Sequence, residues 1–134
     1  MDQIQNSKRY DLEERTYLFA KKVGEFTKTL PKTIANQEYS GQVVRSSGSV
    51  GANYIEANES LGKRDFLMRI KICRKEAKES AFWLRLIHET NDGQCTADGL
   101  KLFNEAVELK KIFSAIYEKS KQFLSFDFWK LELI

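Results

Sequence analysis

Apolar residues recur at helical steps in four stretches of the chain. Leu12, Phe19, Val23, Phe26 and Leu30 follow one another at steps of seven, four, three and four, so they share one stripe of a helix over about residues 11–30. Pro31 ends that helix, because proline cannot continue it and disfavours the α conformation before it. A second helix is expected over about 37–59, although it contains Ser40-Gly41 and Ser46-Ser-Gly-Ser-Val-Gly-Ala52. Glycine costs up to about 1 kcal/mol inside a helix, so a close neighbouring backbone is the expected compensation. Gly48 and Gly51 fall on the side of Val44 and Ile55, which marks that side for close packing. The third helix is expected over about 63–89, with Ser60 as N-cap. Phe66, Ile70, Cys73, Ala77, Ala81, Leu84 and His88 form its main stripe, and Met68, Ile72, Trp83 and Leu86 form a second one, displaced around the helix. Two apolar stripes imply packing on two sides, and in so short a chain the second partner is expected to be another subunit.

Thr90 to Gly99 reads as a loop rich in turn residues. The fourth helix is expected over about 100–123, with Phe103, Ala106, Leu109, Phe113, Ile116, Tyr117 and Leu124 facing inward. The segment 126–134 is apolar and docks either on its own bundle or on a neighbour. There is no convincing strand and no internal repeat. Four amphipathic segments joined by short connections define an all-α, up-down-up-down antiparallel four-helix bundle, one domain over residues 1–134.

Composition supports this. The chain has 134 residues, 42% apolar and 31% charged, with a single proline. That is enough to bury a core without disulfides or metal. Met1 to Tyr10 is polar, so no signal peptide is expected, and no run is long enough for a membrane span. Cys73 and Cys95 lie far apart and read as reduced cytoplasmic thiols, one of them buried. Net charge is only +3. Residues 63–78, however, hold seven bases (Lys63, Arg64, Arg69, Lys71, Arg74, Lys75, Lys78) against Asp65 and Glu76, a local charge of +5.

Most chemistry is missing. The only histidine, His88, has Arg85 three residues before it, so the Glu-x-x-His motif of bundle di-iron sites is absent. One histidine and two separated cysteines do not make a zinc site. His88 therefore reads as a core or capping residue. The Ser46–Gly51 run has neither the preceding strand nor the Gly-Lys-Ser/Thr ending of a phosphate loop. Glu56, Glu76 and Glu79 lack a partner base and read as structural ion-pair carboxylates. No enzymatic activity, metal or cofactor is expected.

Two constellations remain. Arg45, Ser49, Ala52, Asn53 and Glu56 share a face of the second helix opposite Val43, Val50 and Tyr54. This is either a solvated face or a polar seam or pore lining whose members pair with another helix or subunit. On the third helix, Arg64, Lys71, Arg74, Lys75, Lys78 and Arg85 occupy about a third of the circumference. This is either a plain solvated face or one that neutralises nucleic-acid phosphates. The second apolar stripe, with Glu76 and Glu79 at its edge, is the candidate oligomer interface: Met68, Ile72, Glu76, Glu79, Trp83 and Leu86.

The segments Arg45-Ser-Ser-Gly-Ser-Val-Gly-Ala-Asn-Tyr-Ile-Glu-Ala57, Lys63-Arg-Asp-Phe66 and Cys73-Arg-Lys-Glu-Ala-Lys-Glu-Ser-Ala-Phe-Trp-Leu-Arg-Leu86 resemble the bacterial four helix bundle proteins, also called 23S rRNA-intervening-sequence proteins. The family's common second-helix pattern is Arg, Ser, then Asn-Ile-Ala-Glu-Gly. Arg45, Ser49, Asn53 and Glu56 match it, whereas Tyr54, Ile55 and Ala57 follow a Gly-Ala-Asn-Tyr-x-Glu-Ala subgroup. The resemblance implies a homopentameric ring with a central pore, no established enzymatic activity, and kinship to the basic, nucleic-acid-binding accessory protein of diversity-generating retroelements. The expected function is a non-enzymatic pentamer associated with RNA or DNA. The alternative is a scaffold whose pore or apolar C-terminus holds a partner protein.

Overall fold

The computed structural model describes the backbone of residues 2–132 and the side chains of residues 11–123. Four helices follow one another: α1 (Asp2–Thr27), α2 (Ile34–Asn58), α3 (Lys63–Thr90) and α4 (Gln94–Glu132). No strand occurs among the described residues. Helices α1–α2, α2–α3, α3–α4 and α1–α4 pack side by side, while the diagonal pairs have no close backbone approach. The chain is therefore an antiparallel bundle of square section, with α3 packed most extensively and α1 lying more lightly on α4.

The core is built from the expected stripes. Phe19 and Val23 of α1, Val43 and Val50 of α2, Ile70 and Leu84 of α3, and Leu109 and Phe113 of α4 are fully buried. Across one diagonal, the Tyr54 ring meets Phe113 edge-on, with centroids 5.6 Å apart. Each such aliphatic or aromatic side chain contributes about 1.5–3 kcal/mol by leaving water. Ile87 and Leu102 belong to the core as well, although neither lay on an expected stripe. Phe66, Phe103, Ile116 and Tyr117 are only partly buried, and the side chain of Leu124 lies outside the described residues.

Several element ends differ from the sequence reading. Helix α1 begins at Asp2 and stops at Thr27; Leu30 is buried from the turn beyond it. Helix α2 starts at Ile34, three residues early, because the Thr33 hydroxyl caps the Asn36 amide at 3.0 Å. The buried Asn36 side chain also donates to the Pro31 carbonyl and exchanges amide bonds with Asn91 at 2.9 and 3.0 Å, tying the two turns at this end together. Ser60 does not cap α3. Gly62 holds that position without a side-chain bond, and the Ser60 hydroxyl donates to Glu56 of the preceding helix.

The expected loop 90–99 shrinks to a tight turn, with Gly93 at φ +71, a left-handed conformation that favours glycine. Helix α4 then starts at Gln94, and Thr96 and Asp98 hold its first turn through bonds to the Asn91 carbonyl and Gln94. Helix α4 also continues to Glu132, so residues 126–132 carry on the helix and are not a separate tail. Their docking, expected on the bundle or a neighbour, concerns side chains outside the described residues.

The small residues of α2 behave differently from one another. Gly51 faces α1, where an added Cβ would lie 3.0 Å from Thr16 Oγ1. Ser46 and Ser47 are buried, and Ser46 Oγ bonds Ser80 Oγ of α3 at 2.8 Å. Gly48 contradicts the expectation of close packing: a Cβ there would meet nothing, and Val44 and Ile55 are also exposed. That side of the helix touches α1 only at its inner edge.

Candidate functional site

Helix α3 stands at a corner of the square and presents two outward surfaces. One, toward α4, is basic. Lys71 and Arg74 reach across to α4 and sit over the Tyr117 ring, with Lys71 Nζ 5.9 Å and Arg74 Cζ 4.8 Å from its centroid. The ring face is electron-rich and holds both cations side by side without neutralising them. Arg64, Lys75 and Lys78 are exposed and have no carboxylate partner among the described residues. Arg85 alone is paired, with Glu89 one turn on at 3.0 Å. The place of Tyr117 on the inward stripe of α4 predicts core, and the α3–α4 packing makes it a platform instead. Lys110 and Lys121 stand seven before and four after Tyr117, so they share its stripe and widen the basic strip onto α4.

The other surface, toward α2, joins the polar face of α2 to the carboxylate edge of the second α3 stripe. Arg45 of α2 reaches Glu76 at 3.3 Å and also binds Glu79. The Trp83 indole N–H donates to Glu79 at 3.3 Å, and the Trp83 ring lies beside Tyr39. Arg69 donates to the Asn53 side chain at 3.0 Å, and Asn53 in turn donates to the Ser49 carbonyl at 2.9 Å. The carboxylates Glu76 and Glu79 thus act as ion-pair partners, as their lack of a base implied. Glu56 shares the face of Arg45 and is exposed. Around these polar groups lie Met68 and Phe82, 55% and 56% exposed, and the half-buried Ile72, Trp83 and Leu86. Phe82 was on neither stripe in the sequence reading.

Elsewhere, chemistry is quiet. His88 is half-buried, and its Nδ1 donates to the Thr96 carbonyl at 2.7 Å, which joins the end of α3 to the first turn of α4. A carbonyl only accepts, so Nδ1 carries the proton. Cys73 is buried, and burial pushes its thiol up to about 12. Both cysteines are free thiols. No three histidine, cysteine or carboxylate side chains converge to hold a metal among the described residues. No described helix is long and apolar enough to cross a membrane.

An all-α antiparallel bundle with one basic strip, one apolar face and a polar seam stitched between α2 and α3 is the class these observations define. The chain belongs to the 23S rRNA-intervening sequence protein family, whose model matches residues 8–115. A solved structure from Bacteroides thetaiotaomicron VPI-5482, described as a protein with unknown function from the S23 ribosomal protein family, is similar to it. The two share 25% identity and a TM-score of 0.66 over 78% of this chain and 96% of that one. No curated protein matches the chain.

Proposed function

We propose that this chain is a non-enzymatic, homopentameric, cytoplasmic protein that associates with RNA or DNA through the α3–α4 strip. One observation carries the reading: Lys71 and Arg74 are held over Tyr117 and remain free to meet phosphate, in line with exposed Arg64, Lys75 and Lys78. Cations spaced along a rigid helix suit a phosphate backbone and carry little sequence information. The family resemblance supports five copies, and a ring would multiply each strip fivefold, so weak contacts gain through avidity. The test is retention of rRNA or duplex DNA by the variant Lys71→Glu, Arg74→Glu, Lys78→Glu. Loss of retention with unchanged assembly supports the reading; unchanged binding overturns it.

A second reading, a scaffold for a partner protein, draws on the exposed Met68 and Phe82. It expects partner capture that survives high salt and disappears on deletion of residues 126–134.

A further inference from the structure

The outer ridge of α3 carries a pattern separate from its core stripe. Met68, Ile72, Lys75, Glu79, Phe82 and Leu86 follow one another at alternating steps of four and three. That is the spacing of a coiled-coil seam, which packs into the groove of facing helices. Every one of these residues is at least partly exposed, so among the described residues no helix packs over the seam. Its apolar members flank a polar middle, Lys75 and Glu79, and Glu79 is held in place by Arg45 and the Trp83 indole.

On the opposite edge of the square, α1 and α4 stand apart around a cleft of about 760 Å³. Phe19, Phe26 and Leu102 lie buried at its base, and Leu18, 37% exposed, is the accessible apolar side chain of the lining. The rim is charged and net acidic: Arg15 is consumed by a bidentate pair with Glu105 at 2.7 and 2.8 Å, which leaves Asp11, Glu14, Glu25 and Asp98 against Lys22 and Lys101. The cleft is thus an acidic-rimmed groove with Leu18 accessible in it, and the seam is an apolar ridge with an exposed lysine at its middle. They lie on opposite sides of one molecule and cannot meet within it.

We propose that the α3 ridge of one copy docks in the α1–α4 cleft of a second copy; this rests on the homo-oligomeric reading above. The two patches differ, so the contact is head-to-tail and closes into a ring if the rotation allows. The α3–α4 basic strip lies on an edge between the two patches, so every copy presents it on the same surface of the assembly, apart from Lys75, which turns toward the acidic rim.

Two single variants test the pairing by light scattering. Phe82→Glu spoils the ridge and keeps the cleft; Leu18→Glu spoils the cleft and keeps the ridge. Both sites are exposed, and helical circular dichroism verifies folding; Lys101→Trp, which fills the cleft from its rim, replaces Leu18→Glu if that variant unfolds. Each variant alone is expected at 15.6 kDa, and their mixture at twice that, 31.2 kDa, since one intact ridge then meets one intact cleft. In wild type, amine cross-linking of mixed isotope-labelled copies is expected to join Lys75 to Lys22 or Lys101 of another copy. A wild-type monomer overturns the oligomeric reading itself. An oligomeric wild type whose variants stay assembled, or whose intermolecular links join Lys75 only to Lys75, overturns this pairing alone.

Discussion

Gly48 and Gly51 lie one turn apart on α2 and offer an internally controlled test of how the bundle is packed. Replacing either by alanine in a helix interior gains about 1 kcal/mol from the restricted backbone alone. At Gly48 nothing opposes that gain, because the new methyl meets no atom within 4 Å. At Gly51 the methyl would lie 3.0 Å from Thr16 Oγ1 and 3.3 Å from Thr16 Cβ. Thr16 cannot rotate away freely, since its hydroxyl donates to the Leu12 and Glu13 carbonyls at 2.9 and 3.0 Å in a fully buried site. Overpacking of this kind costs about 1–3 kcal/mol. The expected outcome is a gain of about 1 kcal/mol for Gly48→Ala and a net loss of up to about 2 kcal/mol for Gly51→Ala. In a domain of this size the gap between the two corresponds to about 4 °C in Tm per kcal/mol. Urea unfolding followed by helical circular dichroism, at one fixed protein concentration, reads the difference. Thr16→Ala removes the nearest atom but keeps Cβ, so combining it with Gly51→Ala is expected to recover part of the loss, a coupling that a double-mutant cycle isolates. Equal stabilisation by both alanines would refute the tight α1–α2 contact.

Arg45→Ala is expected to cost only about 0.5–1 kcal/mol, because the Arg45 side chain is half exposed even though Glu76 is 12% exposed. The same change loosens the Glu79 bond to the indole, so Trp83 fluorescence should shift, and an unaltered spectrum would argue against that chain of contacts. The Cys73 thiol, pushed up to about 12 by burial, resists iodoacetamide at alkaline pH while half-buried Cys95 reacts; peptide mass spectrometry shows which sulfur is labelled. The linkage sign is fixed: above pH 9 the unfolded thiol ionises and the folded one does not, so the unfolded state holds fewer protons and stability falls by about 1.4 kcal/mol per pH unit up to about 12. Cys73→Ala should remove that share of the alkaline slope. Gly93→Ala places a Cβ in a left-handed conformation at φ +71 and is expected to lose about 1 kcal/mol, read by thermal unfolding.

The bundle was legible because its four core stripes are long and periodic. Leu12, Phe19, Val23 and Phe26 alone fix which side of α1 is inside, and all are buried. Helix ends were less legible, since they depend on single caps: Thr33 starts α2 early, and Gly93 bends the chain so sharply that Gln94 can begin α4. The partners of Arg45 could be foreseen only as lying on another helix or subunit, because the register that brings Glu76 and Glu79 to it is set by the α2–α3 packing. Tyr117 shows the opposite difficulty. Its position on the inward side of α4 signals core, yet at the bundle edge the same ring offers its face to Lys71 and Arg74. No pattern within α3 or α4 alone contains that contact.

The unusual composition of α2 has a consequence beyond α2 itself. Ser46 against Ser80 and Gly51 against Thr16 let the helix sit close to both α3 and α1. Helix α1 packs more extensively on α2 than on α4, and the α1–α4 gap is spanned by the Arg15–Glu105 pair, whose bond to Glu105 raises the Arg15 pKa. The small residues between α1 and α2 are expected to set the width of the α1–α4 cleft. On this view a larger residue at 51 pushes α1 toward α4 and narrows the seat proposed for the neighbouring ridge. Gly51→Ala should then weaken assembly as well as folding, whereas Gly48→Ala, which displaces nothing, should strengthen folding and leave the assembled mass unchanged. A Gly51→Ala protein that is destabilised yet assembles with wild-type affinity would separate the two effects and remove the mechanical link between α2 packing and the cleft.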